Sequence, residues 1–206
     1  MTRTKICGIT RVEDALAAAH AGADAIGLVF VAKSPRHVTP MQAAEIGAAL
    51  PPFVTRVALF VNPDATQVEA VLGLARPDVL QFHGEESPEF CRSFGLPYLK
   101  AARVRPGVDL LQFATLHADA QGLLLDAWSE GVHGGTGERF DWALIPPDLP
   151  RPIVLAGGLH PGIVAEAVRV VGPWAVDVSS GVEAAKGIKD AAKIAAFIKE
   201  VRNADV

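Results

Sequence analysis

The sequence predicts an α/β fold, a (β/α)8 TIM barrel that takes in residues 1–206 as a single domain. Three observations carry this. Eight short apolar runs are spread along the chain, segments of helical period separate them, and polar residues stand just past most of the runs. Most runs are continuously apolar, as strands buried on both faces are. A doubly wound open sheet usually has fewer strands and gives no reason for polar residues at both the first and the last strand end. A typical barrel has about 250 residues, so 206 residues with 50% hydrophobic content predict a compact one.

The first strand is expected at Thr4–Cys7, followed by a helix with Val12, Ala15, Leu16 and Ala19 at i, i+3, i+4 and i+7. The second run is Ala25–Phe30, and Thr39-Pro40-Met41-Gln42 then reads as a capping box with proline at the first helical position. The third run, Thr55–Phe60, precedes the helical set Val68, Val71, Leu72 and Ala75. After Val79–Phe82, Ser87-Pro88 marks a short helix over Ser87–Phe94. Tyr98–Ala101 and Gly122–Leu125 are the fifth and sixth strands, the latter followed by a short helical pattern at Phe140–Ile145. Ile153–Ala156 leads to a helix start at His160-Pro161 and the set Val164, Ala167, Val168 and Val171. Ala175–Val178 is the eighth strand, and Ile194, Phe197, Ile198 and Val201 form the last helical face.

Composition excludes several classes. A net charge of −4, with the 19 Lys and Arg scattered, argues against nucleic acid and against an anionic membrane surface. The apolar stretch from Ala15 to Ala32 contains His20, Asp24 and two glycines, so a membrane span is not expected there, nor is a signal peptide expected at the N-terminus. Two cysteines, Cys7 and Cys91, are too few for a disulfide framework and point to a reducing, cytoplasmic setting. Six histidines without a helical i, i+4 pair predict no metal site.

Active sites of such barrels lie at the C-terminal strand ends. The residues there are Cys7-Gly8, Lys33 and Arg36, Asn62, His83-Gly84, Lys100, Asp126, Gly157-Gly158, and Asp177 with Ser179-Ser180-Gly181. The loops after strands 7 and 8 often bind phosphate. Gly157-Gly158 would let bare backbone N–H groups approach an anion, and Ser180-Gly181-Val182-Glu183 has capping-box spacing for a short helix facing it. Two ordinary glycine turns are the plainer alternative. Cys7 and Asp126 end strands three apart in an eight-strand ring, across a gap of roughly 14 Å. An acid and a thiol flanking a sugar-sized ligand suit proton transfer at adjacent carbons. The plainer readings are a small buried cysteine and a helix cap. Cys91 lies in a helical segment and is read as structural.

Period two puts Lys5 on the face of Cys7, so a barrel-facing Cys7 buries Lys5, and Asp177 is the expected partner. His83 either orients Cys7 or satisfies backbone groups at a strand end, and it is counted among the candidate substrate-binding residues. Arg36 is either a solvated side chain or a fork for a ligand carboxylate. His133-Gly134-Gly135-Thr136-Gly137 is either a lid or a connector, and it lacks the Gly-Lys-Ser/Thr ending of a Walker motif.

Lys5-Ile6-Cys7-Gly8-Ile9-Thr10, Lys33-Ser34-Pro35-Arg36, Val79-Leu80-Gln81-Phe82-His83-Gly84, Leu124-Leu125-Asp126, Gly134-Gly135-Thr136-Gly137, Phe140-Asp141-Trp142, Leu155-Ala156-Gly157-Gly158-Leu159 and Val176-Asp177-Val178-Ser179-Ser180-Gly181-Val182-Glu183 occur in this order over nearly the whole chain. Together they resemble the phosphoribosylanthranilate isomerases of tryptophan biosynthesis. Phe82 stands where leucine is more usual in that family and Ala156 where serine is common; neither touches the chemistry. The resemblance implies an Amadori rearrangement of N-(5′-phosphoribosyl)anthranilate to 1-(2-carboxyphenylamino)-1-deoxyribulose 5-phosphate. It makes Asp126 the general acid and Cys7 the general base. It gives Arg36 the substrate carboxylate, Gly157, Gly158, Ser179, Ser180 and Gly181 the phosphate, and Asp177 the ribose hydroxyls. It implies no cofactor or metal, a small phosphorylated aminosugar as substrate, and a monomer or homodimer. Such chemistry needs Asp126 protonated while Cys7 is a thiolate, and positive charge near Cys7 is expected to favour that form.

The rival readings are another phosphosugar barrel and a non-catalytic phosphate-binding barrel. The first would need catalytic lysines at strand ends, where only Lys100 is expected. The second has no need of Cys7 and Asp126.

Overall fold

The computed structural model describes residues 1–127 and 140–205. Eight parallel strands close into a barrel in sequence order. They are β1 (Arg3–Cys7), β2 (Ala25–Val29), β3 (Thr55–Phe60), β4 (Val79–Phe82), β5 (Tyr98–Val104), β6 (Gly122–Ala127), β7 (Ile153–Leu155) and β8 (Ala175–Val178). Closure is made by β1, which pairs with β2 on one side and β8 on the other, with Lys5 opposite Asp177.

Helices α1 (Val12–Ala21), α2 (Pro40–Ala49), α3 (Ala65–Ala75), α4 (Pro88–Arg92), α5 (Leu110–Leu116), α6 (Val164–Val171) and α7 (Ala191–Ala204) lie between or after the strands. Their starts follow local chemistry. The Thr39 side chain accepts from the Gln42 N–H while the Gln42 side chain accepts from the Thr39 N–H, so the expected capping box forms. Asp64, Ser87, Asp109 and Asp190 cap α3, α4, α5 and α7.

Two expected helices differ. The pattern at Phe140–Ile145 yields only a 3-10 turn, Trp142–Leu144, since three residues cannot carry a full α turn on one apolar stripe. At His160-Pro161 the chain makes a turn first, with the Gly162 N–H donating to His160 Nδ1, and α6 begins at Val164. The glycine-rich segment His133–Gly137 lies outside the described residues. After β8 comes a short hairpin, β9 (Glu183–Ala185) and β10 (Ile188–Lys189), which no local pattern announced.

Two apolar layers hold the fold. The larger lies between strands and helices and includes Phe60, Phe82 and Phe197. The smaller, with Ala101, Leu124, Val154, Ala156 and Ala175, fills the barrel interior. Lys100 belongs to the outer layer and not to the mouth. It is buried and bonded to Glu86 Oε2 at 2.7 Å. Strand β5 runs on to Val104, and its rim residue is Arg103, opposite Asp126. The apolar run stopped three residues short there because a charge interrupts it.

His117, buried beside this pair with its ring tilted against Phe113, is pushed down to about 4, first by burial and then by the Lys100 charge. The unfolded chain therefore takes up this proton first as pH falls, and stability is lost from about 6.5 down to about 4. Melting scans are expected to show a smaller drop in Tm between neutral and acid pH for His117→Phe than for the unchanged chain. An equal drop in both would show that His117 does not carry the effect.

Candidate active site

Residues past the C-terminal strand ends converge on one cleft. Its polar side is lined by Cys7, Arg36, His83, Asp126, Asp177 and Ser179, and its apolar side by Val29, Leu59 and Val61. Alternation along each strand explains the sorting. Cys7, Val29 and Leu59 form a small apolar wall at the mouth, above the interior layer of leucine, valine and alanine.

Lys5 and Asp177 are paired, Nζ to Oδ1 at 2.9 Å, and both are buried. Burial works against the Lys5 charge, but Asp177 and Cys7 outweigh it and hold the ammonium above its ordinary range. Cys7 departs from expectation. Burial pushes its thiol up; Lys5 pulls it down, Asp177 pushes it up again, and burial prevails. The positive charge lies where it was expected, yet it does not win, because desolvation of a thiolate outweighs one already neutralised ammonium. Cys91 is buried in α4, its thiol pushed up to about 12 by burial.

The room for Cys7 comes from its neighbour in β2. Cys7 is opposite Gly27, where a Cβ would lie 2.7 Å from Cys7 Sγ and 3.1 Å from Lys5 Nζ. Nothing in the local sequence marked Gly27. Gly27→Ala is expected to leave the melting temperature within a few degrees while lowering kcat more than tenfold, since a displaced base costs far more than a packing adjustment. Circular dichroism and steady-state kinetics check it; unchanged kcat would refute the crowding argument.

Among the described residues the His83 ring bonds neither to Cys7 nor to a backbone group. Its Nε2 is 3.2 Å from Asp126 Oδ2 and its Nδ1 is 3.1 Å from Gln81 Nε2. The other carboxylate oxygen, Asp126 Oδ1, accepts from the Ala127 N–H at 2.9 Å. Arg103 donates from Nη2 to the His83 carbonyl at 3.4 Å.

Arg36 is not a solvated side chain. Its Nε and Nη2 donate to the two carboxylate oxygens of Glu183 at 2.7 and 2.9 Å. The capping box expected at Ser180–Glu183 does not form. Ser180–Val182 is a 3-10 turn without a side-chain cap, because the Glu183 carboxylate is turned to Arg36 and to Lys189 Nζ. Burial pushes Glu183 up, but Arg36 and Lys189 outweigh it and hold the carboxyl below its usual range. Lys189, which sequence reasoning missed, also donates to the Ser179 carbonyl at 3.1 Å. The two glycine loops touch. Gly157 and Gly158 both have positive φ, 83° and 64°. A Cβ on Gly181 would overlap the Leu159 carbonyl, so the loops after β7 and β8 form one surface. Among the described residues no group of His, Cys, Asp and Glu could hold a metal ion, and no helix is long and apolar enough to cross a membrane.

A thiol, an imidazole-bonded carboxylate and an arginine fork around one barrel mouth define a (β/α)8-barrel enzyme. Residues 4–200 match the family of N-(5′-phosphoribosyl)anthranilate (PRA) isomerase. The chain belongs to that family, the isomerases of tryptophan biosynthesis. It is similar to N-(5′-phosphoribosyl)anthranilate isomerase of Nitrosospira multiformis, 60% identical over 199 residues, covering 97% of this chain and 96% of the relative. The Azotobacter vinelandii relative is 60% identical over 202 residues, 98% of each chain. Among solved structures, the Thermotoga maritima phosphoribosyl anthranilate isomerase is 42% identical with a TM-score of 0.89, covering 98% of this chain and 100% of that one. Another, in complex with reduced 1-(o-carboxyphenylamino)-1-deoxyribulose 5-phosphate, is 41% identical with a TM-score of 0.86, over the same shares.

Proposed function

We propose that the cleft converts N-(5′-phosphoribosyl)anthranilate to 1-(2-carboxyphenylamino)-1-deoxyribulose 5-phosphate, with Asp126 as general acid and Cys7 as general base. The observation that carries the reading is one cleft lined by both groups beside an arginine and an apolar wall. Asp126 donates its proton to the furanose oxygen as the C1′–O bond breaks, and the anthranilate nitrogen pair forms a C1′=N iminium. That cation acidifies C2′–H. Cys7 thiolate takes the proton, and the electron pair gives the enolamine. Loss of the C2′ hydroxyl proton and gain of one at C1′ then give the ketone. Cys7 returns its proton and Asp126 regains one, so the balance closes without cofactor or metal.

The remaining residues bind. Glu183 occupies the Nε–Nη2 edge of Arg36, so the substrate carboxylate meets the Nη1 edge. The anthranilate ring lies against Val29 and Leu59. Gly157, Gly158, Ser179, Ser180 and Gly181 hold the phosphate through backbone and hydroxyl donors, with Lys189 behind Ser179. Asp177 takes ribose hydroxyls beside its bond to Lys5.

The test is to follow the loss of phosphoribosylanthranilate fluorescence with purified protein. Conversion at enzymatic rates with no added cofactor or metal is expected. Tight binding of the substrate without turnover would overturn the catalytic reading in favour of a phosphate-binding barrel.

A further inference from the structure

Gln81 is a polar side chain where the fold asks for an apolar one. It faces into the barrel, between Leu59 of β3 and Leu99 of β5 in register, and is 0% exposed. Burying a carboxamide without partners is unfavourable. Its Nε2 lies 3.1 Å from His83 Nδ1, and among the described residues its Oε1 has no partner. Among the described residues, Gln81 is thus hydrogen-bonded through its side chain to one group, the ring that touches Asp126.

The logic of that contact has two solutions. With Gln81 Nε2 donating, His83 Nδ1 carries a lone pair, so the ring proton is on Nε2 and points at Asp126 Oδ2. That arrangement suits an ionised carboxylate. If the amide turns over, its oxygen accepts from Nδ1–H, and Nε2 is left with a lone pair. It can then accept from a protonated Asp126. Each solution makes one hydrogen bond per contact, and each leaves one amide atom unpartnered. An amide offers a donor or an acceptor at the same place by rotation.

We propose that Gln81 is a positioning residue whose amide turns with the proton on Asp126, so that His83 keeps its bond to that carboxyl in both protonation states. This rests on Asp126 as the general acid, and it explains why a carboxamide is kept in an apolar layer. Lose the amide, and the ring is held in only one of the two states.

The experiment labels histidine with 15N and reads the His83 tautomer by NMR at neutral pH, beside steady-state kinetics. In the unchanged chain the ring is expected as the Nε2–H tautomer. Gln81→Glu supplies only an acceptor and is expected to move the ring to Nδ1–H or to the imidazolium. Gln81→Met, which fills the same space without polar atoms, is expected to lower kcat about tenfold, the weight of one hydrogen bond, with KM within about twofold. A tautomer identical in all three proteins with kcat unchanged overturns the proposal. The tautomer readings need no turnover, so they stand apart from the Asp126→Asn test. An inactive Asp126→Asn with an unmoved ring refutes the role of Gln81 alone.

Discussion

Asp126→Asn is expected to lower kcat/KM by roughly 10³-fold, the range over which a positioned general acid acts. The substitution is well matched to the site. An asparagine oxygen can still accept from the Ala127 N–H, and its other amide atom can still meet His83 Nε2, so the strand end keeps its geometry. What it lacks is a proton that can leave. The pH dependence is the sharper readout. A bell-shaped kcat/KM profile loses its alkaline limb when the group whose deprotonation causes it is removed. Measured by fluorescence decay across pH, a profile and rate unchanged in Asp126→Asn would end the assignment of the acid and, with it, the ring-opening step as written.

Cys7→Ala is expected to abolish turnover to a similar extent while leaving substrate binding nearly intact, because the thiol is asked to accept a proton and not to hold the ligand. Cys7 is buried in the wall formed with Val29 and Leu59, and loss of one sulfur there leaves a small cavity. A stability loss of about 1 kcal/mol and a Tm shift of a few degrees are expected, too small to explain inactivity. The direction of the thiol adds a pH test. Burial pushes it up, and Lys5 draws it down more strongly than Asp177 pushes it up. The reaction of the free protein with a small alkylating agent should therefore rise with a midpoint above the ~8.5 of an ordinary thiol. Replacing the pair together, Lys5→Met with Asp177→Asn, leaves no buried charge alone and removes the larger, lowering influence. The midpoint should move further up, and the acid limb of kcat/KM with it. A midpoint below the ordinary thiol value would show that burial does not dominate, and one that falls in the double variant would show that Asp177 outweighs Lys5. Full activity in Cys7→Ala would remove the base from the mechanism.

Much of the architecture was legible because it rests on local rules. A strand buried on both faces is a short apolar run, and a helix start is a capping residue with a partner three positions on. The strand ends follow from those runs, so Cys7 and Asp126 could be placed at one mouth before any contact was known. Where a run was cut by a charge, as at Arg103, the reading stopped early and named Lys100 as the rim residue; the side chain in fact points outward to Glu86.

The sequence by itself determined the number and order of the barrel strands, the rim on which their polar ends gather, and the pairing of Lys5 with Asp177, which follows from period two and ring closure. The tertiary structure alone decided that Glu183 leaves its capping role for Arg36, 147 positions away. It also decided that His83 meets Asp126, 43 positions on, and that Gly27 makes room for Cys7. The physical reason is that these depend on register and on which side chain wins a shared partner. A carboxylate with a cap, an arginine and a lysine in reach takes the two cations, and no local pattern states that they are in reach.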